Sequence, residues 1–186
     1  MGSSSSSIDN IPNAQEIMQE TGCELRFFGF SCLFFLLRRA TDFEALRELA
    51  MNPIGDRIIG AFFSPGQERV DFPSFVQVLA HFRPTDTNRT RGGTQQEPAN
   101  SSTRKLKFAF QLYDQDRDGK ISRAELLEVL RAMLGLQVTE EQLQSIAERA
   151  IQEADLDKDN AISFDEFRKS LEKVNIDHKM SIRFLR

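Results

Sequence analysis

Two stretches of twelve residues, starting 41 residues apart, constrain this chain more than any other feature in it. The first is Asp114-Gln-Asp116-Arg-Asp118-Gly119-Lys120-Ile121-Ser122-Arg-Ala-Glu125, and the second is Asp155-Leu-Asp157-Lys-Asp159-Asn160-Ala161-Ile162-Ser163-Phe-Asp-Glu166. Each carries carboxylates at its first, third, fifth and last positions. A chain can bring so many like charges together only around a cation, and hard oxygen donors in this number suit calcium. In the first loop Asp114, Asp116 and Asp118 supply side-chain oxygens, the carbonyl of Lys120 adds another, Ser122 acts through a water, and Glu125 grips with both oxygens. In the second loop Asp155, Asp157, Asp159, the Ala161 carbonyl, Ser163 and Glu166 take the same roles. Gly119 takes the sharp turn where φ is positive. Asn160 stands at the equivalent position of the second loop, and Asn tolerates that conformation better than most residues.

This spacing is the EF-hand pattern, a loop between two helices. The flanks agree. Leu106, Phe110 and Tyr113 share a helical face before the first loop, and Leu126, Leu127, Leu130, Met133 and Leu134 follow it. Gly135 ends that helix, and Thr139 with Gln142 reads as a capping-box start. Leu143, Ile146, Ala147, Ala150, Ile151 and Ala154 lead into the second loop, and Phe164, Phe167, Leu171 and Val174 lead out. Ile121 should point inward and pair with the partner loop. Upstream, Val70 to Phe75 aligns with the back half of a third loop, with Val70 in the Ile position. Its ligand positions hold Phe63, Pro65, Gln67 and Ser74, so this hand is expected to be metal-free and kept for pairing. The predicted fold is all-α, two lobes of helix–loop–helix hands with short β pairing between loops, the N-terminal hand degraded.

The remaining chain falls into a tail and short helix (1–22), a first lobe (23–83), a flexible linker (84–103), the calcium lobe (104–175) and an apolar tail (176–186). Residues 42–49 read as one helix. Asn52 and Pro53 read as the start of another, with Asn as N-cap. The linker's only apolar non-proline residue is Ala99, so nothing in it is expected to be buried against the entropy of the chain. Residues 23–39 are rich in Phe and Leu and read either as a buried helix or as a segment facing a membrane or partner. The tail, with Val174, Ile176, Met180, Ile182, Phe184 and Leu185, either packs outside the lobe or lines a target groove. Candidate groove residues are Leu130, Met133, Leu134, Phe167, Leu171, Met180 and Phe184. Gly2 with Ser6 fits an N-myristoylation pattern; the alternative is a plain serine tail.

Other classes recede. The formal charge of −4 over 186 residues argues against a nucleic-acid binder. Two bound calcium ions would bring that charge to zero. Two cysteines do not make a disulfide scaffold. No apolar run approaches the roughly 20 residues a membrane helix needs, and the start lacks a secretory signal. A soluble intracellular protein is expected. His81 and His178 lie far apart, Cys23 and Cys32 lack a catalytic signature, and no phosphate loop occurs, so no enzyme is expected.

With these residues read, the chain resembles the calcineurin B homologous proteins. The strings that carry the resemblance are Asn52-Pro-Ile-Gly-Asp-Arg-Ile-Ile59, Val78-Leu-Ala-His-Phe-Arg-Pro84, the two calcium loops and Lys179-Met-Ser-Ile-Arg-Phe-Leu185. The resemblance implies four hands, the first two degenerate and the last two loaded with Ca²⁺, and a myristoylated Gly2 giving peripheral membrane contact. It also implies an adaptor that holds an amphipathic helix from the juxtamembrane tail of a plasma-membrane Na⁺/H⁺ exchanger, in the cytoplasm and at the inner face of that membrane, with the nucleus a further site. A regulator of the calcineurin catalytic subunit and a calcium buffer are the alternatives. One departure stands out: in residues 23–40 the family's first helix–loop–helix is replaced by the Phe- and Leu-rich run, through loss of the first hand or a mispredicted exon.

Overall fold

The computed structural model describes residues 37–85, 97–98 and 100–180. Among these, helices dominate: α1 (Ala40–Glu44), α2 (Arg47–Ala50), α3 (Gly55–Gly60), α4 (Phe72–Ala80), α5 (Ser102–Tyr113), α6 (Arg123–Leu134), α7 (Glu140–Ala154), α8 (Phe164–Ser170) and α9 (Ile176–Met180). Two short strands, β1 (Lys120–Ser122) and β2 (Ala161–Ser163), pair antiparallel with Ile121 opposite Ile162. This is the expected all-α fold with strand pairing between loops. No described helix is long and apolar enough to cross a membrane.

The second lobe follows its sequence closely. Ser101 caps α5 by accepting the Arg104 N–H at 3.2 Å. Thr139 and Gln142 form the capping box that starts α7. Gly135, at φ +46°, stops α6. Phe110, Ile121, Ile151, Ala154 and Ile162 make one buried cluster beneath the paired loops, and Leu127, Leu143 and Ala147 make a second between α6 and α7.

The first lobe packs Phe43, Phe62 and Phe75 around one another, with ring centroids 4.8 to 6.4 Å apart. The same cluster takes in Phe108 and Leu112 from α5. The first helix of the second lobe therefore also closes the core of the lobe before it. His81 stacks on Phe108 at 4.6 Å, and burial pushes its pKa down.

Four local expectations are corrected. The single helix over 42–49 is two, because Leu46 adopts an extended backbone between α1 and α2. Asn52 does not cap a helix directly. Its Oδ1 accepts the Ile54 N–H at 3.0 Å in a turn, and α3 begins at Gly55. Gly55 is required there, since a Cβ would lie 2.1 Å from the Leu49 carbonyl oxygen. The ends of the linker are ordered and partly buried: the Asn100 amide donates to the Pro84 carbonyl at 2.7 Å, and Thr85 Oγ1 donates to the Asn100 carbonyl at 3.0 Å. Asn100 is only 4% exposed. Polar pairing holds these residues where apolar content could not.

The fourth correction concerns the first hand. Val70, 1% exposed, donates its N–H to the Arg38 carbonyl at 2.9 Å. Counted from Asp42 and Ser74 as last positions, Arg38 and Val70 hold the places in their loops that Ile121 and Ile162 hold in theirs, and this one hydrogen bond joins them. Asp42 Oδ2 then accepts the N–H groups of Arg38 and Arg39 at 3.0 and 2.8 Å, opening α1 as Glu125 opens α6. The back half of a first hand is thus kept from Arg38 onward. In the second hand Asp71 makes the reciprocal contact, standing at the N-cap as Ser122 does and accepting the Ser74 N–H at 2.8 Å to cap α4. Of the Phe- and Leu-rich run, Leu37 is buried in the first-lobe cluster, and 23–36 lie outside the described residues.

Candidate metal centre

Each loop hangs between two helices that set its ends. In the first, α5 runs out at Asp114, whose N–H still donates to the Phe110 carbonyl at 3.0 Å. From there the loop wraps its own N–H groups onto its carboxylates. Gly119 N donates to Asp114 Oδ2 at 3.1 Å, Asp118 N to Asp116 Oδ1 at 3.1 Å and Lys120 N to Asp118 Oδ1 at 2.8 Å. Glu125 Oε1 accepts from Gln115 N at 2.7 Å, and Oε2 accepts from the Ser122 N–H and hydroxyl at 2.8 and 2.7 Å. Ser122 and Glu125 are also the capping box of α6, so the last ligand is fixed by the helix it begins.

The second loop repeats this. Asn160 N donates to Asp155 Oδ2 at 2.8 Å, Asp159 N to Asp157 Oδ1 at 3.2 Å and Ala161 N to Asp159 Oδ1 at 2.9 Å. Glu166 Oε1 accepts from Leu156 N at 2.7 Å, and Oε2 from the Ser163 N–H and hydroxyl at 2.8 and 2.7 Å. Asn160 takes φ +67°, close to the +88° of Gly119, so the departure from glycine keeps the turn.

The electrostatics are those of sites built for a cation. One oxygen from each of Asp114, Asp116 and Asp118 lies within 4.8 Å of the others, and the same holds for Asp155, Asp157 and Asp159. Burial, with Glu125 and Asp118 nearby, raises the Asp114 pKa. Burial likewise raises Asp157, reinforced by Asp159. Asp114 Oδ1 is buried and has no hydrogen-bond partner, while Oδ2 is occupied by Gly119. An orphaned buried carboxylate oxygen among converging carboxylates is an unmet bonding demand of the kind a calcium ion satisfies. The donor set therefore fits the ion. Burial pushes Glu125 up, but the Ser122, Gln115 and Asp116 hydrogen bonds outweigh it and leave its pKa lowered. The Ser163 hydroxyl and N–H hold Glu166 down at about 2. Both clamping carboxylates are thus ionised and oriented.

Among the described residues the groove candidates fall in different places. Leu130 and Leu134 pack with Leu127, Leu143 and Ala147. Phe167 packs on Phe110 and Tyr113, at 5.5 and 6.0 Å. Met180 joins the first-lobe cluster, Leu171 is half-buried and Met133 is exposed. Phe184 and Gly2 lie outside the described residues.

Three contacts were not foreseen from sequence. Arg57 Nη1 donates to the Leu112 carbonyl at 3.0 Å and Nη2 meets Glu128 at 3.3 Å, while Gln115 Nε2 donates to Glu128 at 3.0 Å. This ties α3 to both helices of the first calcium hand. Lys105, fully buried, meets Asp177 of α9 at 2.6 Å. Lys120 meets Asp159 across the two loops. Each joins residues distant in sequence and leaves no local pattern.

The comparisons agree with this geometry. The EF-hand domain pair family matches residues 103–172. The calcineurin B subunit of Naegleria gruberi is 40% identical over 142 residues, covering 76% of this chain and 72% of the relative. The chain belongs to the calcineurin B-like EF-hand family. As a member it is a calcium-binding regulatory protein, and proteins of this kind are typically non-enzymatic calcium sensors.

Proposed function

We propose that this calcineurin B-like protein is an adaptor that binds two calcium ions in its second lobe and clamps an amphipathic helix of a target. The observation that carries the reading is the contrast between its lobes. The second lobe has two complete ligand sets, one with an orphaned buried oxygen at Asp114. The first keeps a half-loop hydrogen bond, Val70 to Arg38, and gathers no such carboxylate cluster among its described residues. Hands retained without metal serve packing and partner contact. The target we favour is the juxtamembrane cytoplasmic helix of a plasma-membrane Na⁺/H⁺ exchanger, whose activity and pH response the adaptor supports. That reading places the protein in the cytoplasm and at the inner membrane face, with myristate on Gly2 as the anchor, and also in the nucleus.

A second reading makes the chain a regulatory subunit or inhibitor of a Ser/Thr phosphatase, and the name of the Naegleria gruberi relative favours it. Calorimetry separates the two. The calcium-loaded chain is titrated with an exchanger-tail helix and, in parallel, with the calcineurin catalytic subunit. Stoichiometric binding of the exchanger helix with a negative heat-capacity change supports the first reading. Binding of the catalytic subunit alone moves the assignment to the second. Binding of neither, with both calcium sites filled, overturns the adaptor and leaves a calcium buffer.

A further inference from the structure

The two calcium loops look alike in ligands, but the strand pair makes them unequal. Register sets Lys120 of β1 opposite Ser163 of β2, and Ser122 opposite Ala161. From its position the Lys120 side chain crosses to the second loop, where Nζ pairs with Oδ2 of Asp159. Asp159 Oδ1 is held separately by the Ala161 N–H at 2.9 Å. The ion pair runs one way, although the ammonium also feels Asp157 and, least of the three, Asp118 of its own loop. The position of the second loop that matches Lys120 is Ala161, which has no cation to return. Among the described residues, Asp114, Asp116, Asp118 and Glu125 take part in no ion pair.

We propose that the Lys120 side chain sets the second loop to a lower calcium affinity than the first, so that the two sites fill in order. The inference rests on the calcium reading of both loops. A divalent ion held by Asp155, Asp157, Asp159 and Glu166 lies against an ammonium already paired to one of those ligands. The like charges repel, and part of the charge of Asp159 is already neutralised. The carbonyl of Lys120 belongs to the first loop, but its side chain acts on the second. One residue thereby serves both sites, as a main-chain ligand to one and a charge opposing the other.

The size of the effect follows from exposure. The Lys120 and Asp159 side chains are 46% and 28% exposed, so solvent weakens the interaction without abolishing it. Removing the ammonium should tighten the second site about three- to tenfold at low salt.

The test isolates each site in the full chain. Glu125→Gln disables the first loop and Glu166→Gln the second, and Lys120→Met is added to each. Calcium affinity is read by calorimetry. On the Glu125→Gln background, Lys120→Met is expected to tighten binding about three- to tenfold, with the gain shrinking in about 0.5 M KCl. On the Glu166→Gln background it should leave affinity within about twofold, because the carbonyl ligand is retained. Unchanged or weaker binding at the second site overturns the proposal, as does an equal gain at both sites, which would be a net-charge effect. If the Glu125→Gln chain binds no calcium with or without Lys120, the calcium reading of the second loop falls and this proposal with it.

Discussion

Asp114 shows most clearly how single side chains are committed to a cation. Its Oδ1 is buried without a partner, and burial raises its pKa. The metal-free protein therefore carries an uncompensated anion that calcium relieves. Asp114→Asn is expected to raise the melting temperature of the metal-free protein by about 2 °C or more, while weakening calcium binding at the first loop. A lower melting temperature with calcium affinity unchanged, read by calorimetry, would contradict this and show that Asp114 serves folding alone. Glu166 runs the other way. Its pKa is held at about 2, against an ordinary 4.5, chiefly by the Ser163 hydroxyl and N–H. A depressed carboxylate contributes stability that is fully present above its unfolded pKa and is lost as pH falls through the folded one. Metal-free protein should thus lose stability between about pH 4.5 and pH 2, and Glu166→Gln should flatten that slope in acid denaturation curves. The convergence of the three aspartates in each loop was legible in the sequence because their spacing is local, within twelve positions. The orphaned oxygen was not, since it depends on which loop N–H groups reach which carboxylate.

Among the elements, the helix starts explain both the successes and the failures of sequence reading. Thr139 with Gln142, Gly135 and the α5 face that carries Leu106, Phe110 and Tyr113 were readable because capping chemistry and helical periodicity are written in neighbouring residues. The break at Leu46 was not, because nothing near it is a Gly or Pro, and Leu46 and Leu49 are instead drawn onto the first-lobe cluster. Asp42 was missed for a similar reason. It stands at the last position of a loop whose front half has no acidic residue, so the pattern fails as a whole although its capping half survives. Ser101 offers the cleanest test at this scale, since it caps the helix shared by both lobes. Ser101→Ala should cost about 1 kcal/mol in chemical denaturation. Loss of a single cooperative transition, with the lobes melting apart, would give α5 a larger joining role than its cap alone explains.

Across the whole molecule, polar contacts join what the sequence separates. Asp177 of α9 accepts from Lys105 of α5 and from the N–H and hydroxyl of Thr85, at 2.6 to 2.9 Å. The base of the linker, the shared helix and the start of the tail meet at one carboxylate. Asp177→Ala removes it from a fully buried ammonium and should destabilise the chain by about 2–4 kcal/mol; unchanged urea midpoints would contradict this. Arg57 makes the corresponding link from the first lobe to the helices that flank the first acidic loop, through Leu112 and Glu128. Such pairs span 55 to 92 positions and have no periodicity, so sequence patterns could not show them. They show how the first lobe bears on the acidic loops: it buttresses the helices that set the first of them. The account stands on both loops being calcium sites, and calorimetric titration of the metal-free full chain tests that directly. It predicts two ions per chain, and one in Glu125→Gln and in Glu166→Gln alike. Fewer than two ions in the unaltered chain, or two retained in either variant, would contradict it.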